Sequence, residues 1–365
     1  MLVTIVAGAR PNFMKIAPII KAICKAQESQ KNVSYRLVHT GQHYDKGMSG
    51  DFFTQLNIPL PDVDLGARGG SQAEQTAAIM IGFEKELLEN PTDVVLVVGD
   101  VTSTMACTIT AKKLCIPVVH VEAGIRSGDR TMPEEINRIV TDSICDHFFT
   151  TSALAGDHLL YSGVPRERIH FVGNTMIDTL CQNLSRLRKP PIWDVSGLAP
   201  GEYYLLTLHR PSNVDEPANL QKILEVILDH TTQKVVFPIH PRTRKSLEAV
   251  HFSHDRLLQA EPMSYLEFIY LTRACKGVIT DSGGITEETT VLGVPCITLR
   301  DSTERPETIE VGTNELAGAS PSALPPLLAK IAAGKWKKGG TPELWDGHAS
   351  ERIVAKLLTL KFQRT

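Results

Sequence analysis

Short, nearly continuous apolar runs alternate with stretches of helical periodicity along almost the whole chain. LVTIVA from Leu2, SYRLVHT from Ser34, DVVLVVGD from Asp93, PVVHVEA from Pro117 and HFFTTS from His147 are short and rich in β-branched or aromatic residues, as strands are. A strand that is apolar on both sides must be covered on both faces, and the intervening helical segments supply that cover. Alternation of this kind predicts a doubly wound parallel sheet, because parallel neighbours need a long crossover and a helix is the usual one.

The pattern pauses at KPPIWDVSGLAPGE from Lys189, whose Pro and Gly content reads as a linker. It restarts with YYLLTLH from Tyr203, KVVFPIH from Lys234, RLLQ from Arg256, KGVITDSGG from Lys276 and PCITLRD from Pro295. A chain of 365 residues is too long for one ordinary core and fits two. The expected architecture is α/β, with two Rossmann-like domains whose parallel sheets face a central cleft. The N-terminal domain is expected over residues 1–175, completed by a C-terminal helix in 345–365, and the second over residues 176–344.

Charge and hydropathy exclude several functions. A formal net charge of −3 leaves no basic excess for a nucleic-acid backbone. The longest apolar stretches, such as Val94 to Val98, are far too short to span a bilayer, and no basic region precedes an apolar core at the N-terminus. A soluble, cytoplasmic protein is expected. The seven cysteines are scattered and never spaced C-x-x-C, so they read as reduced core thiols, and no Cys/His cluster has metal-ligand spacing.

In open parallel sheets ligands bind beyond the carboxyl ends of the strands, so polar residues directly after apolar runs are the candidates for function. The first strand runs into GARPNFMK, where Arg10 and Lys15 flank Pro11 at a helix start. That loop is no GxGxxG fingerprint and the chain has no P-loop, but the two cations suit a diphosphate. Asp100 follows VVLVVG, and Glu122 ends the next strand; adjacent parallel strands would aim both at one crevice, where carboxylates can serve as acid or base. Glu134 and Glu135 follow Pro133 in MPEEINR; the bland alternative makes them first-turn acids, with Glu134 and Arg138 an i,i+4 ion pair. Asp100 has its own bland alternative, as a cap for a helix starting near Thr102. In the second half, His209 with Arg210 and His240 with Arg242 each end a strand. Ser282, Gly283 and Gly284 lie between a strand and a helix, a general device for seating a phosphate on backbone N–H groups. Glu287 and Glu288 follow within one turn, where a carboxylate can meet ribose hydroxyls.

Together the stretches GARPNFMKIAP, HTGQHYD, VVGDVTSTMA, HVEAGIRS, MPEEINR, FVGNTMIDTL, TLHRPSN, FPIHPRT, TDSGGITEETTVLGVPC and RDSTERPETIEVGTN resemble, in order, the non-hydrolysing UDP-N-acetylglucosamine 2-epimerases, which have the two-domain GT-B fold. The resemblance implies a cofactor-free inversion at C2 of a UDP-N-acetylhexosamine, serving cell-surface polysaccharide synthesis. UDP leaves by anti elimination to give 2-acetamidoglucal, then readds with protonation on the opposite face. It further implies Asp100, Glu122 and Glu134 as acid/base carboxylates and His209 beside the diphosphate and sugar. Arg10, Lys15 and Arg138 would support the sugar and diphosphate, Ser282 to Gly284 the phosphates and Glu288 the ribose. Some members bind a second substrate molecule as activator, and Gln42, His43, Arg68 and His240 resemble parts of that site. A homodimer is implied. The alternatives are a C2 epimerase of a UDP-2,3-diacetamido-uronic acid, a hydrolysing 2-epimerase and a GT-B glycosyltransferase.

Overall fold

Strands β1 (Leu2–Ala7), β2 (Ser34–His39), β3 (Val63–Asp64), β4 (Val94–Val98), β5 (Val118–Val121), β6 (His147–Thr150) and β7 (Ile169–Phe171) form one sheet in the order β3-β2-β1-β4-β5-β6-β7. All its pairings are parallel. These features come from a computed structural model that describes residues 1–41, 53–239, 241–318 and 320–362, with the side chains of Pro241 and Arg242 excepted. Every residue of β4 is buried, as a central strand covered on both faces requires. The covers are helices α1 (Arg10–Glu28), α2 (Gln72–Glu89), α3 (Thr102–Lys113), α4 (Pro133–Ile144), α5 (Ala153–Tyr161) and α6 (Thr175–Asn183). Phe83, Val95, Val97 and Phe148 lie in one apolar cluster of this layer.

The chain divides into two compact units, Met1–Gln182 with Glu343–Thr365, and Asn183–Pro342. The C-terminal return is fixed to the first unit by specific polar contacts. Trp345 is fully buried and its indole N–H donates to the Thr151 carbonyl at 3.0 Å. The buried Asp178 carboxylate accepts the N–H groups of Ala349 and Ser350 at 3.0 and 2.6 Å, satisfying the open end of helix Ala349–Leu357. That helix packs on α1.

The second unit carries β8 (Tyr203–Thr207), β9 (Lys234–Pro238), β10 (Leu257–Ala260), β11 (Gly277–Thr280), β12 (Cys296–Thr298) and β13 (Asn314–Leu316), in the order β10-β9-β8-β11-β12-β13 and again parallel. Helices α7 (Pro217–Asp229), α8 (Tyr265–Ala274), α9 (Gly283–Leu292) and α10 (Leu324–Ala332) are its longer covers with described side chains. Both units are therefore Rossmann-like. Three strands escape the sequence reading: β3, β7 and β13 have two or three residues each and stand at sheet edges or ends, too short for any period. The segment from Lys189 is not a free linker. Residues Pro191–Val195 form a helical turn, and Trp193 packs edge-on against Tyr203 and Tyr270, with ring centroids 5.8 and 5.2 Å apart. Of the cysteines, Cys107, Cys145, Cys275 and Cys296 are buried thiols, whereas Cys115 is exposed. No helix among the described residues is long and apolar enough to cross a membrane.

Candidate active site

Each sheet reverses its strand order once, between β1 and β4 in the first unit and between β8 and β11 in the second. Chains leave such neighbouring strands toward opposite faces, which opens a crevice at their carboxyl ends. The candidate residues cluster at these two places.

In the first unit, Asn12 ties the crevice together. Its Oδ1 accepts the N–H groups of Gly8 and Ala9 at 3.2 and 3.1 Å, and its Nδ2 donates to the Val98 carbonyl at 3.1 Å, joining the end of β1 to the end of β4. One turn on, Lys15 forms an ion pair with Glu122 at the end of β5, both side chains being about nine-tenths buried. Glu122 has φ 71°, a left-handed backbone that costs a side-chain-bearing residue of order 1–3 kcal/mol and is retained where the surroundings impose it. Gly99 gives the pair its room: a Cβ there would stand 3.1 Å from Lys15 Nζ, and the residue has φ 68°. Arg10 is the first residue of α1 and its side chain is exposed.

Asp100 does not cap α3. Val101 is the capping residue, without a side-chain bond, and the Asp100 carboxylate instead receives Arg138. Arg138 Nε and Nη2 both donate to Asp100 Oδ2, at 3.0 and 2.5 Å, which leaves Oδ1 uncommitted among the described residues. Asn137 Nδ2 holds the Asp100 carbonyl at 2.8 Å. The other arm of Arg138 goes to Glu135 at 2.8 Å, so Arg138 is not the helical-spacing partner of Glu134. Glu134 stands half-buried in the first turn of α4, and its carboxylate pairs with no cation among the described residues. The first unit thus carries two acids held by cations and a third, Glu134, with no cation partner among the described residues.

In the second unit the organising group is Asp281, directly after β11 and fully buried. It accepts His209 Nδ1 at 2.6 Å, the N–H groups of His209 and Arg210 at 3.0 and 2.9 Å, and Asn213 Nδ2 at 3.0 Å. Burial pushes this carboxyl up, but the hydrogen bonds from His209, Asn213 and Arg210 outweigh it and hold it below the usual range. An acid on Nδ1 fixes the imidazole plane and leaves Nε2 on the far side, where His209 is more than half exposed. The same rule that selects Asp100 in the sequence would have found Asp281; the reading passed over it for the glycines beside it.

Ser282 is the N-cap residue of α9 and makes no side-chain cap bond. A Cβ on Gly283 would meet nothing nearer than Arg300 Nη1 at 3.8 Å, so packing does not demand glycine there. The bare first turn of α9 is what close approach of an anion to backbone N–H groups needs, and Arg300 adds a charge beside it. Arg300 is held by Glu304 at 2.7 Å, and Arg305 pairs with Glu287. Glu288 is buried, and burial raises its carboxyl to about 8, with Tyr265 opposing and the neighbouring Glu287 adding to the rise. Near neutrality it is mostly protonated and can both donate to and accept from a hydroxyl. Of the residues matched to a second ligand site, Arg68 is exposed and bonded to Asp64 at 3.0 Å, while Gln42, His43 and His240 lie outside the described residues.

Comparison with known proteins gives this arrangement its family. The family described as UDP-N-acetylglucosamine 2-epimerase matches residues 25–358. The UDP-N-acetylglucosamine 2-epimerase of Methanocaldococcus jannaschii is 40% identical, over 98% of this chain and 99% of its own. Its crystal structure in complex with UDP-GlcNAc and UDP has a TM-score of 0.85 over the same shares. The UDP-2,3-diacetamido-2,3-dideoxy-D-glucuronate 2-epimerase of Pseudomonas aeruginosa is 38% identical over 99% of this chain and 100% of its own. The Neisseria meningitidis UDP-GlcNAc 2-epimerase bound to UDP-GlcNAc is 30% identical, with a TM-score of 0.88 over 99% of this chain and 100% of that one. With acids at the ends of β4 and β5, two glycines opening α9 and full-length similarity to these enzymes, the chain belongs to the UDP-N-acetylglucosamine 2-epimerase family.

Proposed function

We propose that this protein interconverts UDP-N-acetylglucosamine and UDP-N-acetylmannosamine, without hydrolysis and without a cofactor. The observation that carries the reading is the pair of strand-end acids, each held by its own cation: Asp100 by Arg138 and Glu122 by Lys15. One carboxylate removes the C2 proton while the C1–O bond to UDP breaks, giving 2-acetamidoglucal and UDP. The UDP oxygen then returns to C1 as an acid protonates C2 on the opposite face. Asp100, Glu122 and Glu134 are the acid/base set, since the chemistry needs a base on one face, an acid on the other and a route to restore the proton between turnovers. Arg10 and Lys15 favour the anionic leaving group, as do the Ser282–Gly284 N–H groups. His209 donates to the diphosphate, and Glu288 meets the ribose.

Incubation with UDP-N-acetylglucosamine in deuterated water, followed by NMR, tests this directly. The expected product is UDP-N-acetylmannosamine carrying deuterium at C2, with deuterium also entering recovered substrate. Free N-acetylmannosamine would make the enzyme hydrolysing, and absence of any exchange at C2 would end the proposal. The Pseudomonas relative supports a second reading, in which the sugar is a UDP-2,3-diacetamido-uronic acid. A ratio of kcat/KM values for the two sugars above about 10² in its favour would establish that reading, because a site built for a carboxylate discriminates strongly against its absence.

Asp281 is a positioning residue here. Asp281→Asn is expected to lower kcat about 10²-fold by releasing the imidazole of His209, less than the ~10⁴-fold seen when the acid orienting a general-base histidine is neutralised, because His209 is not the base here. Affinity for UDP, measured by calorimetry, should fall by less than tenfold, because the N–H groups of Ser282–Gly284 still hold the diphosphate. An equal loss in both would make Asp281 a scaffold of the loop only.

A further inference from the structure

A cavity of about 550 Å³ lies in the first unit, within the roughly 300–1,000 Å³ typical of small-molecule sites. Its polar wall carries Arg126, Arg130 and Arg168 together with Glu135 and Asp142. Another part of the wall is apolar, with Ile139 and Phe148. Arg68 does not line it.

Both acids are already matched. Glu135 receives Arg138 at 2.8 Å and the N–H groups of Ser127 and Gly128 at 2.9 and 3.2 Å. Asp142 receives Arg126 at 2.6 Å and the Gly124 N–H at 3.1 Å, and faces His120 Nδ1 at 2.7 Å. Burial pushes both carboxyls up, yet these partners outweigh it and hold them below their ordinary values. Arg130 and Arg168, by contrast, pair with no carboxylate among the described residues. Three arginines face two acids, and one of those acids is matched by Arg138 from outside the wall, so the cavity keeps a positive surplus.

We propose that this cavity binds a phosphorylated small molecule, with Arg130 and Arg168 closing on the phosphate oxygens, and that its occupancy is transmitted to Asp100. Guanidinium donors matched to phosphate are short, charge-assisted and directional. The transmission follows from the walls themselves. Glu135 shares Arg138 with Asp100, and Asp142 shares His120 with the Gly99 carbonyl, which His120 Nε2 meets at 2.8 Å. Each acid of the cavity therefore stands one side chain away from the segment that carries Asp100. An anion that draws Arg126 off Asp142, or repels Glu135, changes the hold on that segment from two directions.

Titration calorimetry on the full chain tests the site using inorganic pyrophosphate and ADP as probes, with wild type and variant compared under the same conditions so that binding elsewhere cancels. The wild-type protein is expected to bind at least one of them, and the variant Arg130→Ala with Arg168→Ala to bind at least tenfold more weakly at an unchanged thermal midpoint. Equal affinities for the two probes assign the site to free phosphates; tighter ADP binding assigns it to a nucleotide on the apolar wall. Hydrogen–deuterium exchange of the segment around residues 99–104 should respond to the bound probe in the wild type and not in the variant. Neither measurement depends on the epimerase reading, so its failure and theirs are separable. No heat with either probe, binding retained by the variant, or binding without altered exchange around Asp100 would each overturn the proposal.

Discussion

Asp100→Asn is expected to cut turnover of UDP-N-acetylglucosamine about 10³-fold while the protein stays folded, within the 10²–10⁴ range of general acid–base catalysis. The prediction rests on which oxygen is occupied. Arg138 directs two N–H donors at Oδ2, so in the variant they select the amide oxygen and turn the amide nitrogen into the place of Oδ1. The new group fills the same volume and keeps the arginine, but cannot take a proton. Arg138 also retains Glu135, which is why the thermal midpoint should move little. Glu134→Gln is the informative companion, because Glu134 has no cation partner among the described residues and its substitution chiefly removes proton transfer. Wash-out of C2 deuterium from labelled substrate then separates the faces. The variant lacking the acid of the product face still exchanges the substrate C2 position, whereas the one lacking the substrate-face base does not. Turnover within tenfold of wild type in Asp100→Asn would remove Asp100 from the reaction.

Some of this site could be read from the chain and some could not, and the division follows the range of the interactions. Asp100 and Glu122 are visible because each directly follows an apolar run, and an acid there has few structural reasons to exist. The same adjacency marks Asp281 and was masked by the Ser-Gly-Gly that follows it. Partners are another matter. Spacing along α4 suggests Glu134 with Arg138, but the fold gives Arg138 to Asp100, thirty-eight positions away, because a fixed strand-end carboxylate outcompetes a half-buried first-turn one. Asn12 reads as one polar residue in a helix start, and only the fold shows it bridging β1 and β4. His120 reads as an interruption of a buried strand; its two nitrogens serve Asp142 and the Gly99 carbonyl, contacts that no local period encodes. The Pro-rich segment at Lys189 misled for the converse reason. Local composition says turn, while Trp193 finds Tyr203 and Tyr270 at a distance in the sequence.

The pair Lys15–Glu122 separates stability from chemistry when dismantled one side at a time. Lys15→Met is expected to destabilise the first unit by about 3–5 kcal/mol, because it leaves a carboxylate about nine-tenths buried without its ammonium. For a domain of this size that corresponds to a fall of roughly 10 °C in its unfolding midpoint. Glu122→Gln should cost less, since the amide oxygen still accepts from the ammonium and the neighbouring backbone is unchanged. Adding Glu122→Gln to Lys15→Met then removes the buried charge that lost its ammonium, and the double variant should recover about 2 kcal/mol relative to Lys15→Met alone. The left-handed backbone at Glu122 persists in every variant, so that strain cancels from the cycle. Turnover should not follow stability. If Glu122 handles a C2 proton and Lys15 the departing diphosphate, the stabler double variant is slower than either single one, by about 10³-fold or more against wild type. Urea unfolding and the turnover assay on the four proteins decide the matter. Recovery of activity together with stability in the double variant would make the ion pair a structural brace and move the chemistry to Asp100 and Glu134.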